Sequence, residues 1–194
     1  MDKIISFLEK IEKVKLIERE ICCSDLKRRE SDAEHSWHLA MFLILFAKEL
    51  PSDLNFDRMM KMALIHDLVE IYAGDTFAYD KKNRITQPNR EAKAAKKLFS
   101  QLPSDLMNDF ARLFKEFEDK KTPEAKIVNS FDKIQPIFQN LCSNGWSWKK
   151  HNITYSKIDE YKRKDMLHNN FILKLYEKII NEAVKKKMVY SLKK

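Results

Sequence analysis

Met62-Ala63-Leu64-Ile65-His66-Asp67-Leu68-Val69-Glu70-Ile71-Tyr72-Ala73-Gly74 is the stretch on which the fold turns. Met59, Met62, Ala63, Ile65, Val69 and Tyr72 recur at the spacing of one helix face, so a helix opening at Asn55 or Phe56 is expected to run through this segment. Gly74 stands where a left-handed cap would end it. Within this apolar stripe sit His66 and Asp67, with Glu70 one turn beyond His66 on its face. Burying three such groups without compensation is costly. A divalent cation would offset that cost, since imidazole nitrogen and carboxylate oxygen suit Mn, Fe, Co, Ni or Zn. On spacing alone, an ordinary polar helix surface explains the same residues.

Outward from this segment the helical period continues in both directions. Ile4, Ile5, Leu8 and Ile11 mark a first helix, followed by a polar stretch at Ser24–Ser31. Asp32 can cap a second helix with Ala33, Trp37, Ala40, Met41, Ile44 and Leu45 on its buried face, ended by Pro51. After Gly74, Thr76–Thr86 reads as a loop, with Pro88 in the first turn of the next helix. Further helices start at Pro103 and at Thr122-Pro123-Glu124, where a capping oxygen, a proline and an acid stand in order. Ser143–Asn152 reads as a loop holding Trp146 and Trp148, and a basic helix over about residues 156–188 closes the chain. The fold expected is all-α: a single domain, residues 1–194, of about seven helices.

Composition narrows the function classes. Two glycines in 194 residues argue against a glycine-rich phosphate loop or a dinucleotide-binding turn. The net charge of +8 lies entirely beyond Asn144: residues 1–144 carry 24 basic and 24 acidic side chains, and residues 145–194 carry 13 and 5. A uniformly basic nucleic-acid binder would not distribute its charge so; a solvated helix face with a fraying lysine-rich end accounts for it, and a weak electrostatic footing on nucleic acid or anionic lipid is the sharper reading. The longest apolar run, Leu39–Ala47, falls far short of the ~20 residues needed to span a bilayer. Three cysteines, two of them adjacent, make no disulfide framework and fit a cytoplasmic setting.

Two further acids fall at telling places. Asp75 follows Gly74 closely after Glu70, and Asp132 sits deep in the apolar-periodic helix of Val128-Asn129-Ser130-Phe131-Asp132-Lys133-Ile134-Gln135-Pro136. Earlier in the chain lies Arg29-Glu30-Ser31-Asp32-Ala33-Glu34-His35-Ser36-Trp37-His38. The order is His35, then His66-Asp67, Glu70, Asp75 and finally Asp132 on another helix. It resembles the H…HD…D signature of the HD-domain superfamily of metal-dependent phosphohydrolases, and within it the compact single-domain branch that includes the 5'-deoxynucleotidases. The resemblance spans roughly residues 1–150, with signature residues 29–136.

The resemblance implies an HD-type helical bundle in which His35, His66, Asp67 and Asp132 hold one divalent metal ion (Mn, Co, Ni, Fe, Mg or Zn). It implies Glu70 and Asp75 as the acidic pair that orients an attacking water and handles its proton. His38, one turn after His35, is expected to support the site rather than ligate. Arg19, Arg28 and Arg29 are the candidate phosphate contacts, because a guanidinium can meet phosphate oxygens two at a time. Where the deoxynucleotidases have Trp after the substrate Arg, Glu20 follows Arg19 here. The expected partner is a small phosphorylated metabolite, a nucleoside 5'-monophosphate first, acting in a homodimer. Two other readings stay open: phosphodiester or pyrophosphate hydrolysis, and a non-enzymatic metal-holding module that binds nucleic acid.

Overall fold

A computed structural model describes residues 1–190 of the chain. Its elements in order are α1 (Asp2–Ile11), β1 (Glu18–Cys22), β2 (Arg29–Ser31), α2 (Asp32–Leu45), α3 (Phe56–Ile65), α4 (Glu70–Ala73), α5 (Lys81–Phe99), α6 (Ser104–Asp119), α7 (Pro123–Cys142), α8 (Trp146–Lys150), α9 (Tyr155–Lys162) and α10 (Asn170–Lys185). Seven of these helices have ten or more residues, as the periodicity predicts. Helix α7 is the central post. It packs on α2, α3, α6 and α10, and Val128, Phe131 and Ile134 are wholly buried along it. Burying a side chain of that size contributes roughly 1.5–3 kcal/mol. Among the described residues no helix is long and apolar enough to cross a membrane.

Local chemistry sets the ends. Ser31 accepts from the Glu34 amide and Glu34 Oε2 accepts from the Ser31 amide at 2.9 Å, a reciprocal box that starts α2. Asn55 caps α3 and Thr122 caps α7 through side-chain oxygens. The cap of α2 is thus Ser31, one residue before the expected Asp32, and Asp32 itself is fully buried.

Several other expectations change. The segment around the polar stretch forms an antiparallel ribbon, with Glu18 opposite Ser31 and Cys22 opposite Arg29. The helix expected to run unbroken to Gly74 stops at Ile65; His66–Val69 tighten into a 3-10 turn before α4. Gly74 has φ +74° and ψ 147°, outside the left-handed helical well and in a region only glycine adopts freely. Helix α5 starts within the expected loop because Asp80 accepts from the Lys82 and Asn83 amides, leaving Pro88 inside the helix. The tryptophan loop contains the short α8, and Trp148 is buried. The closing helix is two helices, α9 and α10, and the final Lys193 and Lys194 of the expected lysine-rich end lie outside the described residues. Trp37, Ile44 and Leu45, expected on the buried face of α2, are exposed. That helix is apolar on nearly every side, so its period alone does not choose a face.

Candidate metal centre and active-site cavity

Helix α2 supplies His35, the 3-10 turn after α3 supplies His66 and Asp67, and the middle of α7 supplies Asp132. In a regular helix His66 and Asp67 would point about 100° apart. The tightened 3-10 turn opens that angle to about 120°, and both side chains are nonetheless buried, with His66 Nε2 3.1 Å from Asp67 Oδ1. His35 Nε2 is 3.0 Å from Asp132 Oδ1 and 3.7 Å from Asp67 Oδ2; His66 Nε2 is 3.1 Å from Asp67 Oδ1 and 3.7 Å from Asp132 Oδ1.

Both imidazoles are held from behind. His35 Nδ1–H donates to Gln135 Oε1 at 2.7 Å, and His66 Nδ1–H donates to the Ala63 carbonyl at 3.0 Å. With Nδ1 donating, Nε2 is the nitrogen that carries the lone pair whenever the ring is neutral, and it faces the carboxylates. His66 Nε2 is buried without a hydrogen-bond partner among the described residues. His35, His66 and Asp132 each offer an atom within 4.8 Å of the others, with the Asp67 carboxylate beside the two imidazoles, and such nitrogens and oxygens suit a divalent cation. The charges of the cluster also act on one another. Against the desolvation of burial, Asp67 and Asp132 push His66 up to about 10, and His66 in turn holds Asp67 at about 2.

Gln135 is one residue of the site that sequence reasoning missed. It lies three positions after Asp132, so both reach the same side of α7. Its amide donates to Glu30 Oε1 at 2.7 Å and to His38 Nδ1 at 3.2 Å, while its carbonyl receives the His35 proton. His38 thus supports the site through Gln135. The clue available in the sequence was that i+3 spacing. Proline at 136 lacks an N–H, so the carbonyl of Asp132 loses its helical donor at this same turn.

A second acidic group adjoins the first. Oxygens of Asp32, Glu70 and Asp75 lie within 4.8 Å of one another. Burial pushes Asp32 up to about 6 and raises Glu70 well above the ordinary carboxylate range, with the Asp67 charge adding to both. Burial also raises Asp75, against the opposing pull of Arg19. Arg19 comes from β1 and spans both groups: its Nη1 donates to Asp67 Oδ2 at 2.9 Å and to Asp32 Oδ1 at 3.2 Å. The ribbon that the sequence did not announce is what carries this arginine into the centre.

Asp67, Glu70, Asp75, Asp132 and Arg19 all line one cavity of about 260 Å³, which also reaches α5 and α9. Arg28 and Arg29 are outside its lining: Arg28 grips Glu34, and Arg29 lies 2.9 Å from Glu20. His151 meets Glu20 at 2.8 Å and His168 meets Ser130 at 2.8 Å, both away from the donor set. Trp148 lines a smaller neighbouring cavity, whereas Trp146 lies half-buried under Lys150.

Residues 11–172 match a family model described as HD domain. The chain is similar to a 5'-deoxynucleotidase HDDC2 of Bos taurus, with 32% identity over 115 residues that cover 59% of this chain and 55% of that protein. The zebrafish (Danio rerio) protein of the same name is 29% identical over 140 residues, 72% of this chain and 68% of that one. The match thus spans only about half of the cattle relative's length. Among solved structures, a predicted metal-dependent phosphohydrolase from Magnetospirillum magnetotacticum MS-1 superposes with a TM-score of 0.88 at 34% identity, covering 97% of each chain.

Proposed function

The chain belongs to the HD-domain family, and from that membership we propose that it is a metal-dependent phosphohydrolase. The substrate proposed is a phosphomonoester, with a (deoxy)nucleoside 5'-monophosphate first. The observation that carries the reading is the convergence of two oriented imidazole nitrogens and the Asp132 carboxylate, with Asp67 beside them and the buried pair Glu70 and Asp75 on the wall of the adjoining cavity. The 5'-deoxynucleotidase names of the cattle and zebrafish relatives support the substrate class, and the Magnetospirillum structure supports phosphohydrolase chemistry.

His35, His66, Asp67 and Asp132 would hold one divalent ion of the Mn, Fe, Co, Ni, Zn or Mg group. Such an ion supplies a bound water of lowered pKa and polarises a phosphoryl oxygen. The chain's own residues do the rest. Gln135 and the Ala63 carbonyl keep the imidazoles in the ligating tautomer. Glu70 and Asp75, at the cavity wall, orient the attacking water and receive its proton on a carboxylate oxygen. Arg19 braces Asp67 and Asp32 and keeps these acids from repelling one another. Of the three arginines expected to meet phosphate, Arg19 is the one at the cavity, so it is retained in that role; Arg28 and Arg29 are not.

The test is phosphate release from ribo- and deoxyribonucleoside 5'-monophosphates, using protein stripped of metal and resupplied with Mn, Co, Ni, Mg or Zn. Metal-dependent turnover is expected. Asp67→Ala should lose both bound metal and turnover, and full activity in that variant would sink the proposal. The proposed assembly is a homodimer, with the exposed Trp37, Ile44 and Leu45 of α2 as its contact face; light scattering would show the mass of two chains. The proposed compartment is the cytoplasm.

A further inference from the structure

Lys162, the last residue of α9, lines the same cavity as Asp67, Glu70 and Asp132, and it is only 5% exposed. A buried ammonium costs several kcal/mol unless it is paired. Its partner here is a single neutral one: Nζ donates to the Lys133 carbonyl at 2.7 Å. An ammonium has three N–H donors. Among the described residues no carboxylate lies within 4.0 Å of Nζ. Burial accordingly pulls its pKa down to about 7, with Asp132 opposing and Lys133, Arg19 and Arg84 adding to the fall.

Among the other cations lining the cavity Lys120 is exposed, and the rest each have a partner in the protein, Arg19 included even as it serves the phosphate. Arg19 is taken by Asp67 and Asp32, and Lys133 by Asp165. Arg84 lies 4.3 Å over the Tyr161 ring and donates to the Ala78 carbonyl at 3.0 Å. Lys162 is thus the buried cation of this cavity that lacks an anion among the described residues. It comes from α9, whereas Glu70 comes from α4 and Asp75 from the segment just after it, and all three line the cavity.

We propose that Lys162 is a substrate-binding residue whose ammonium holds a phosphate oxygen in the cavity. The assignment rests on reading the cavity as a phosphohydrolase site. It gives that site a cation from beyond the H…HD…D signature, contributed by a segment whose sequence announced only a basic helix face. The anion would supply the acceptor that the two remaining N–H groups lack, and its charge would offset the burial of the ammonium.

Inorganic phosphate is the probe, titrated calorimetrically into protein loaded with whichever metal supports turnover, or with Mg where none does. Lys162→Met keeps the apolar stem and removes the charge. It should bind phosphate about 10- to 100-fold more weakly, the range for losing one hydrogen bond to a charged group. Bound metal and the unfolding midpoint should stay as in the wild type. Lys162→Arg should recover part of the affinity, and it carries the test if the Met variant does not fold. Wild-type phosphate affinity in Lys162→Met overturns the assignment, as does a wild-type protein that binds no phosphate. If the wild type binds phosphate through Lys162 but releases none from any monophosphate, the phosphomonoesterase reading fails and the assignment of Lys162 stands.

Discussion

At the scale of single residues, the centre depends on groups that touch no ligand. Gln135 ties His35, His38 and Glu30 together, so its loss frees the His35 ring to rotate. Gln135→Met should weaken metal binding about 10- to 100-fold, the usual cost of removing such a support; competition against a chelating dye would measure it. Glu91 lies nearby on α5, buried, and burial raises its pKa to about 7 in spite of a hydrogen bond from Gln87. Between about pH 4.5 and 7 the native carboxyl keeps a proton that the unfolded chain has lost, so stability falls as pH rises through that window. Glu91→Gln removes the ionisation and can keep the Gln87 bond. It should stabilise the protein by about 1–3 kcal/mol at pH 8, with the gain fading by pH 4.5. Chemical denaturation at the two pH values checks the sign.

At the scale of elements, much of the architecture was legible because the helices are long and their ends carry good chemical signals: Asn55, Thr122 and Pro123 mark starts where the structure has them. What escaped was set by tertiary contacts. The ribbon of β1 and β2 has little local signature, since Glu18–Cys22 mixes charged and apolar residues and its register is completed only by packing on α7 and α8. Pro88 misled about the start of α5 because the Asp80 cap lies upstream of it. The signature His, Asp and Glu residues stood out in the sequence, whereas Asp32, Gln135 and Lys162 did not. Their importance comes from what faces them across the fold. Gly145, before α8, holds φ +69°, and a methyl group there would run into the Met188 carbonyl beyond α10. Gly145→Ala should therefore cost about 1–2 kcal/mol from the left-handed backbone alone and more from the clash; thermal unfolding would show it as a lowered midpoint.

At the scale of the whole molecule, the donor set joins α2, the turn after α3, and α7, so a bound ion would cross-link the three elements at the centre of the bundle. An ion held at 100 times its dissociation constant adds about 2.7 kcal/mol to stability. Stripping metal with a chelator should lower the unfolding midpoint of the wild type and leave that of Asp67→Ala unchanged, which calorimetry can compare directly. The donors are also widely spaced along the chain: His35 and Asp132 are 97 positions apart, and His35 and Gln135 are 100 apart. During synthesis, at roughly 5–20 residues per second, the first three donors leave the ribosome seconds before the fourth exists. A nascent chain holding only His35, His66 and Asp67 lacks both the last carboxylate and the amide that aims the first ring. On the proposed ligand set, loading would follow the docking of α7, and the ion a newly made copy receives would be set by the metals around a finished fold, not by whatever its first hundred residues happened to meet.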